Sequence, residues 1–355
     1  MAGRYQNVPV LVTGGLGFIG SNLVLQLVHE GAIVSVADPS IPGCGANPYN
    51  LAPVRERVRV LAVDIADSES LASEIAQSQV IFNLAGEISH IHSMEFPERD
   101  MQINAVAQLR FLRECQRRNA SARIVYAGTR QVYGVPECLP VDEKHPIAPV
   151  DFNGVHKFAA AMYHEMLTRA GQLDAIVLRL TNVYGPRMAL DVPCQGFLST
   201  FLRRLLLGQP LEIYGDGRQL RDPVYVDDVV EAFLLAGIAE RKPHCVYNVG
   251  GPEALSLEAI ARAAAEANGG AEIVFRPFPD RVKPIDIGSY CADYSRIQRE
   301  FGWKPRTRFA DGIRLTLAYY GRELAHYLDP ANPQPHCKMP EHAGQLKRLT
   351  YASGR

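Results

Sequence analysis

The stretch that most constrains this chain lies near its start. The apolar run Val8–Val12 passes directly into Thr13-Gly14-Gly15-Leu16-Gly17-Phe18-Ile19-Gly20, and a helical pattern follows over Ile19–Glu30. The glycines recur every third residue. The first permits a tight turn, the second lets backbone approach a pyrophosphate, and the third lets a helix pack closely on a sheet. A helix beginning near Leu16 offers unpaired N–H groups to phosphates. Asp38 follows at the end of the next apolar run, Ile33–Ala37. A carboxylate there bonds both ribose hydroxyls and repels a 2′-phosphate, which favours NAD over NADP.

The alternation continues. Arg59–Val63, Val80–Leu84, Arg123–Ala127 and Ala175–Leu180 read as further strands, several apolar throughout as in a sheet covered on both faces. Helical patterns separate them at Ser68–Gln77, Glu98–Arg118 and Gly154–Ala170. Gly31 stands where the first helix needs a C-terminal cap. Such spacing specifies an α/β fold, a Rossmann-type doubly wound parallel sheet. After residue 180 turn residues multiply, at Gly185-Pro186, Gly215-Asp216-Gly217 and Gly250-Gly251-Pro252. Residues 1–180, with 219–245 returning to them, are expected to form the dinucleotide-binding domain. Residues 181–218 and 246–328 would form a smaller C-terminal α/β domain. Residues 329–355 lack periodicity and read as an extended tail.

Composition narrows the partners. The 37 Lys+Arg against 38 Asp+Glu leave no positive excess for nucleic-acid phosphates. No apolar run reaches membrane-spanning or secretory length. The seven cysteines are dispersed without a C-x-x-C pair, as expected of reduced cytoplasmic thiols. His90 and His92 have metal-like spacing but no third ligand, so no metal is expected.

Further segments carry a resemblance. They are Asn83-Leu84-Ala85-Gly86, Thr129-Arg130-Gln131-Val132-Tyr133-Gly134, Leu178–Pro186, Tyr214-Gly215-Asp216-Gly217, Arg221–Asp228 and Phe301-Gly302-Trp303-Lys304-Pro305. With Thr13–Gly20 they resemble the extended short-chain dehydrogenase/reductases, the NAD-dependent nucleotide-sugar epimerases and dehydratases, from about Val8 to Tyr320. The resemblance implies a cofactor site of Gly14, Gly17, Phe18, Ile19, Gly20, Asp38, Asp64, Ile65, Leu84, Ala85, Gly86 and Lys157. It implies a nucleotide-sugar site of Glu87, Thr129, Asn182 and Arg221, with one of Arg281 or Lys283 on the diphosphate. The C-terminal domain would hold this substrate, and two long helices would form a homodimer interface.

In that family a Ser/Thr, a Tyr and a Lys form the catalytic centre, with Tyr and Lys spaced Y-x-x-x-K on one helical face. Thr129 and Lys157 match. The Tyr position holds Asn153, in Asp151-Phe152-Asn153-Gly154-Val155-His156-Lys157. An amide neither titrates nor takes a proton in this range. Glu87 and His156 are the candidates to carry the proton instead. Where the related dehydratases carry Asp-Glu, this chain has Arg130-Gln131, which cannot serve as acid and base. The resemblance therefore favours an epimerase over a dehydratase or decarboxylase. Two alternatives remain open: a non-catalytic NAD-binding or regulatory member, and an enzyme using carboxylate chemistry at a more acidic carbon.

Overall fold

The computed structural model describes residues 3–328 except 42, 193–195, 241–242 and 281–282. The expected tail 329–355 and Arg281 lie outside the described residues.

Six strands appear where the periodicity puts them: β1 (Pro9–Thr13), β2 (Ile33–Ala37), β3 (Arg59–Leu61), β4 (Val80–Asn83), β5 (Arg123–Thr129) and β6 (Asp174–Leu180). A seventh, Val246–Val249, pairs in parallel with β6. That strand was expected in the second domain. Its four residues are all buried, and only the main sheet offers them cover on both faces. The order across the sheet is Val246–Val249, β6, β5, β4, β1, β2, β3. The direction of winding reverses between β1 and β4, and in such sheets a ligand crevice opens there.

Strand alternation sorts the core into two layers. Val10 and Val12 of β1, Phe82 of β4 and Val125 of β5 face the cluster formed with α1 (Phe18–His29) and the Val226–Ile238 helix. Leu11, Ile81 and Ile124 face the opposite cluster, with Phe111, Leu112 and Cys115. Those three lie on the first of the two long helices that the resemblance assigns to a dimer interface. They are wholly buried within the chain and offer nothing to a partner.

The expected Glu98–Arg118 helix is divided. Pro97–Met101 passes through a widened π turn, Gln102–Val106, into Ala107–Asn119. The Phe152–Arg169 helix packs beside it. Beyond β6, the helices Phe197–Leu206 and Leu257–Ala267 pack on Leu211–Tyr214, which pairs in parallel with Ile273–Arg276, and Phe309–Glu323 packs on both helices. They share a separate apolar cluster that includes Phe201, Leu211, Ile260 and Ile313. Among the described residues no helix is long and apolar enough to cross a membrane.

Candidate active site

A cavity of ≈ 360 Å³ opens at the reversal point and runs from the glycine turn to the Phe152–Arg169 helix. The turn itself shows why glycine is needed. Gly14 has φ +69°, a conformation that L side chains rarely adopt. A Cβ on Gly20 would lie 2.2 Å from the Gly14 carbonyl oxygen. Gly17 is the N-cap of α1 and has no side chain to satisfy the first-turn N–H groups, which leaves them for an anion.

Thr13 fixes the two crossing loops. Its hydroxyl donates to Asn83 Oδ1 at 2.9 Å and accepts from the backbone N–H groups of Leu84 and Ala85 at 3.2 Å. Asp38 lines the cavity, and its carboxylate accepts from Leu16 N (3.0 Å) and Ser40 N (2.9 Å). Burial nevertheless pushes its pKa up, partly offset by those two bonds. The side chain thus secures the glycine turn from the cavity wall. Asp64 lines the same wall and caps the turn that begins at Ile65, accepting from Ala66 N at 2.8 Å.

At the other end, Glu87, Thr129, Asn153, Lys157 and Asn182 share the cavity wall. Lys157 is buried against Gly86, where a Cβ would stand 3.0 Å from its Nζ. Burial pulls its ammonium below the usual lysine range, and the nearby Asp100 and Glu87 carboxylates oppose that pull. Thr129 closes β5 and caps the following turn, its hydroxyl accepting from Gln131 N at 3.2 Å. The Glu87 carboxylate pairs with Arg99 at 3.7 Å.

Asn153 is held on three sides. Its backbone N–H donates to Ser93 Oγ (3.1 Å), and its Nδ2 donates to the Glu87 carbonyl (3.0 Å) and to Asp100 Oδ2 (2.9 Å). Two acceptors facing one amide end identify that end as nitrogen. Oδ1 is left buried without a partner. The residue has thus spent its donors and keeps one buried acceptor in the wall of the cavity.

Residues 10–250 match the NAD dependent epimerase/dehydratase family. The chain belongs to that family. Its cofactor is NAD. It is 32% identical over 314 residues to a UDP-glucose 4-epimerase of Mycolicibacterium smegmatis, covering 87% of this chain and 97% of the relative. It is 30% identical over 322 residues to a dTDP-glucose 4,6-dehydratase of an Actinoplanes species, covering 88% and 98%. A Thermotoga maritima UDP-glucose 4-epimerase solved with UDP-glucose superposes with a TM-score of 0.81 at 30% identity, over 89% of this chain and 99% of that one.

The residues present fit the family's cofactor: the glycine turn packs so closely that a Cβ at Gly14 or Gly20 would strike backbone, and the first-turn N–H groups of α1 have no side-chain cap, which leaves them for an anion. Gly14, Gly17, Phe18, Ile19, Gly20, Asp38, Asp64, Ile65, Leu84, Ala85, Gly86 and Lys157 all line the cavity. Among the described residues, three of the candidate site residues do not. His156 turns to the side, its Nδ1 bonding Asp100 Oδ1 at 2.7 Å. Arg221 is buried and donates to the Leu220 carbonyl at 2.8 Å and to the Gly288 carbonyl, with Asp286 at 3.7 Å. Burial and the nearby Arg130 bring its pKa down to about 10. Lys283 is exposed on a short turn.

Sequence reasoning passed over Asp100 and Asn104. Asp100 bridges Asn153 and His156, and Asn104 in the π turn accepts from Glu87 N and donates to the Glu87 carbonyl, both at 3.1 Å. The available signal was two polar residues, four apart, inside a helix that should bury apolar ones.

Proposed function

We propose that this chain is a nucleotide-sugar epimerase whose acid–base group is not the residue four positions before Lys157. The pair after Thr129 carries this reading. Elimination of water needs an acid and a base beside the sugar, and this chain offers a guanidinium and an amide, Arg130 and Gln131. The Gln131 amide is moreover engaged with the Asp151 carboxylate at 2.8 Å.

NAD, when bound, takes up and returns a hydride at the sugar carbon, so configuration changes without net oxidation. Lys157 would hold the nicotinamide ribose through its ammonium. The Thr129 hydroxyl, accepting from Gln131 N, still has its proton to donate to a sugar oxygen. Asn153 would accept a hydrogen bond from a sugar hydroxyl at Oδ1 and so orient it, without taking the proton. Glu87, in the wall beside it, would take that proton and return it. Asn182 would meet the sugar or its phosphates.

A homodimer belongs to the same reading. Leu109, Val155 and Met166 are apolar and exposed on two helices that pack side by side. Pairing across a two-fold axis would cover them. Light scattering at micromolar concentration should give twice the chain mass, and a monomer would remove the dimer from the reading.

The NAD-loaded protein incubated with UDP- and dTDP-linked sugars in deuterated water tests the chemistry. An epimer without solvent deuterium on carbon is expected. Carbon-bound deuterium would point to proton chemistry at an acidic carbon. No conversion of any sugar would favour a binding protein.

A further inference from the structure

The two residues after Thr129 have different fates. Gln131 is tied to Asp151, which caps the Phe152–Arg169 helix. Arg130 has no such anchor. Protein surrounds its guanidinium, although part of the residue stays accessible. The guanidinium lies 4.9 Å above the Tyr290 ring, which holds its plane. Nη2 reaches Asn182 Oδ1 at 3.4 Å, and Nη1 is buried without a partner.

Among the described residues no carboxylate lies within 4.0 Å of this guanidinium. Two of the acids nearest in effect are already engaged. Asp151 faces His90 at 3.1 Å and accepts from Gln131 and Gly154 N. Asp286 pairs with Arg221. Asp222 accepts from Ala292 N at 3.0 Å through Oδ2 and keeps Oδ1 buried without a partner, and burial pushes its carboxyl up to about 7. Arg221 adds a second positive charge to the neighbourhood. A guanidinium left this way costs stability unless a ligand supplies the anion.

We propose that Arg130 reads an anionic substituent on the sugar, so that the substrate is a nucleotide-linked acidic sugar such as a hexuronate. This rests on the nucleotide-sugar reading above. The guanidinium lies just behind the sugar end: Arg130 is not itself a lining residue, but it adjoins Thr129 and bonds Asn182, which both line the cavity. A carboxylate accepts two parallel N–H bonds from a planar guanidinium, and the Tyr290 ring pre-sets that plane. A neutral hydroxymethyl group in the same place would leave the charge unanswered. A diphosphate oxygen has the same anionic chemistry, and the experiment separates the two sources.

The NAD-loaded protein is titrated by calorimetry with UDP, UDP-glucose and UDP-glucuronate, and with the three dTDP counterparts. The acidic sugar should bind about 10- to 100-fold tighter than the neutral one. Arg130→Gln should erase that preference and leave nucleoside diphosphate affinity unchanged, while Arg130→Lys should keep part of it. Equal affinity of the unaltered protein for both sugars overturns the inference and spares the reading beneath it. Loss of UDP and dTDP affinity in Arg130→Gln equal to the loss of uronate affinity also overturns it, assigning Arg130 to the diphosphate. Failure of every nucleotide and nucleotide sugar to bind overturns the nucleotide-sugar reading itself. A melting curve monitors folding of the variants, and if Arg130→Gln does not fold, the ratio measured on the unaltered protein decides.

Discussion

The two ends of the cavity are made by different means. The dinucleotide end is made of backbone: a glycine turn, an uncapped helix start and two loops pinned by one threonine. The reactive end is made of side chains from distant segments. Asn153 bonds Glu87 and Asp100 across 66 and 53 residues, and Arg130 bonds Asn182 across 52. Backbone geometry tolerates few residue types, so the first end holds its chemistry as long as the turn survives. A side-chain network can change its chemistry by one substitution while the fold stays intact.

Breaking the backbone end should have the largest effect. Gly20→Val would drive a side chain into the Gly14 carbonyl, and NAD affinity should fall at least about 100-fold. Calorimetric titration checks this, and retained affinity would mean that the turn is not the cradle. Lys157→Met is the matching lesion at the junction of the two ends. Loss of charge-assisted bonds to the ribose should weaken NAD by about 10- to 100-fold and lower kcat with it.

His164 tests how firmly the reactive-end helix is seated. Its ring stacks on Tyr126 at 4.4 Å, its Nδ1 faces the Ala160 carbonyl at 2.8 Å, and burial lowers its pKa to about 4. Between pH 6.5 and 4 the unfolded chain therefore binds a proton that the folded chain refuses. The unfolded state holds more protons there, so stability falls as pH falls through this window, by up to about 3 kcal/mol. His164→Phe should flatten that slope in denaturant titrations at pH 7 and pH 4.5. Asp38→Asn has the smallest expected effect. It removes the charge that repels a 2′-phosphate, and the preference for NAD over NADP should shrink roughly tenfold in paired titrations.

The same contrast explains what could be read from the residues in advance. The strands, the first helix and the reversal point follow from local periodicity and from glycines that only one geometry explains. Every described residue that the resemblance assigns to the cofactor site lines the cavity. Arg221 and His156 were placed by motif position alone, which does not tell where a long side chain finds its partner. One turned to backbone carbonyls and the other to Asp100. The Val246–Val249 strand was assigned to the wrong domain because four apolar residues do not say which neighbour covers them. Asp100 stayed unseen because its importance lies in bonds to residues more than fifty positions away.

The division of labour at the reactive end is the central claim, and the kcat values of Asn153→Ala and Glu87→Gln test it most directly. Asn153 keeps only an acceptor for the sugar, so Asn153→Ala should lower kcat about tenfold, with the loss of one orienting hydrogen bond. Glu87→Gln keeps the shape and removes the proton acceptor, and should lower kcat about 10²- to 10⁴-fold. Asn153→Ala abolishing turnover, with Glu87→Gln and His156→Phe fully active, would contradict the account and place the essential step at the amide.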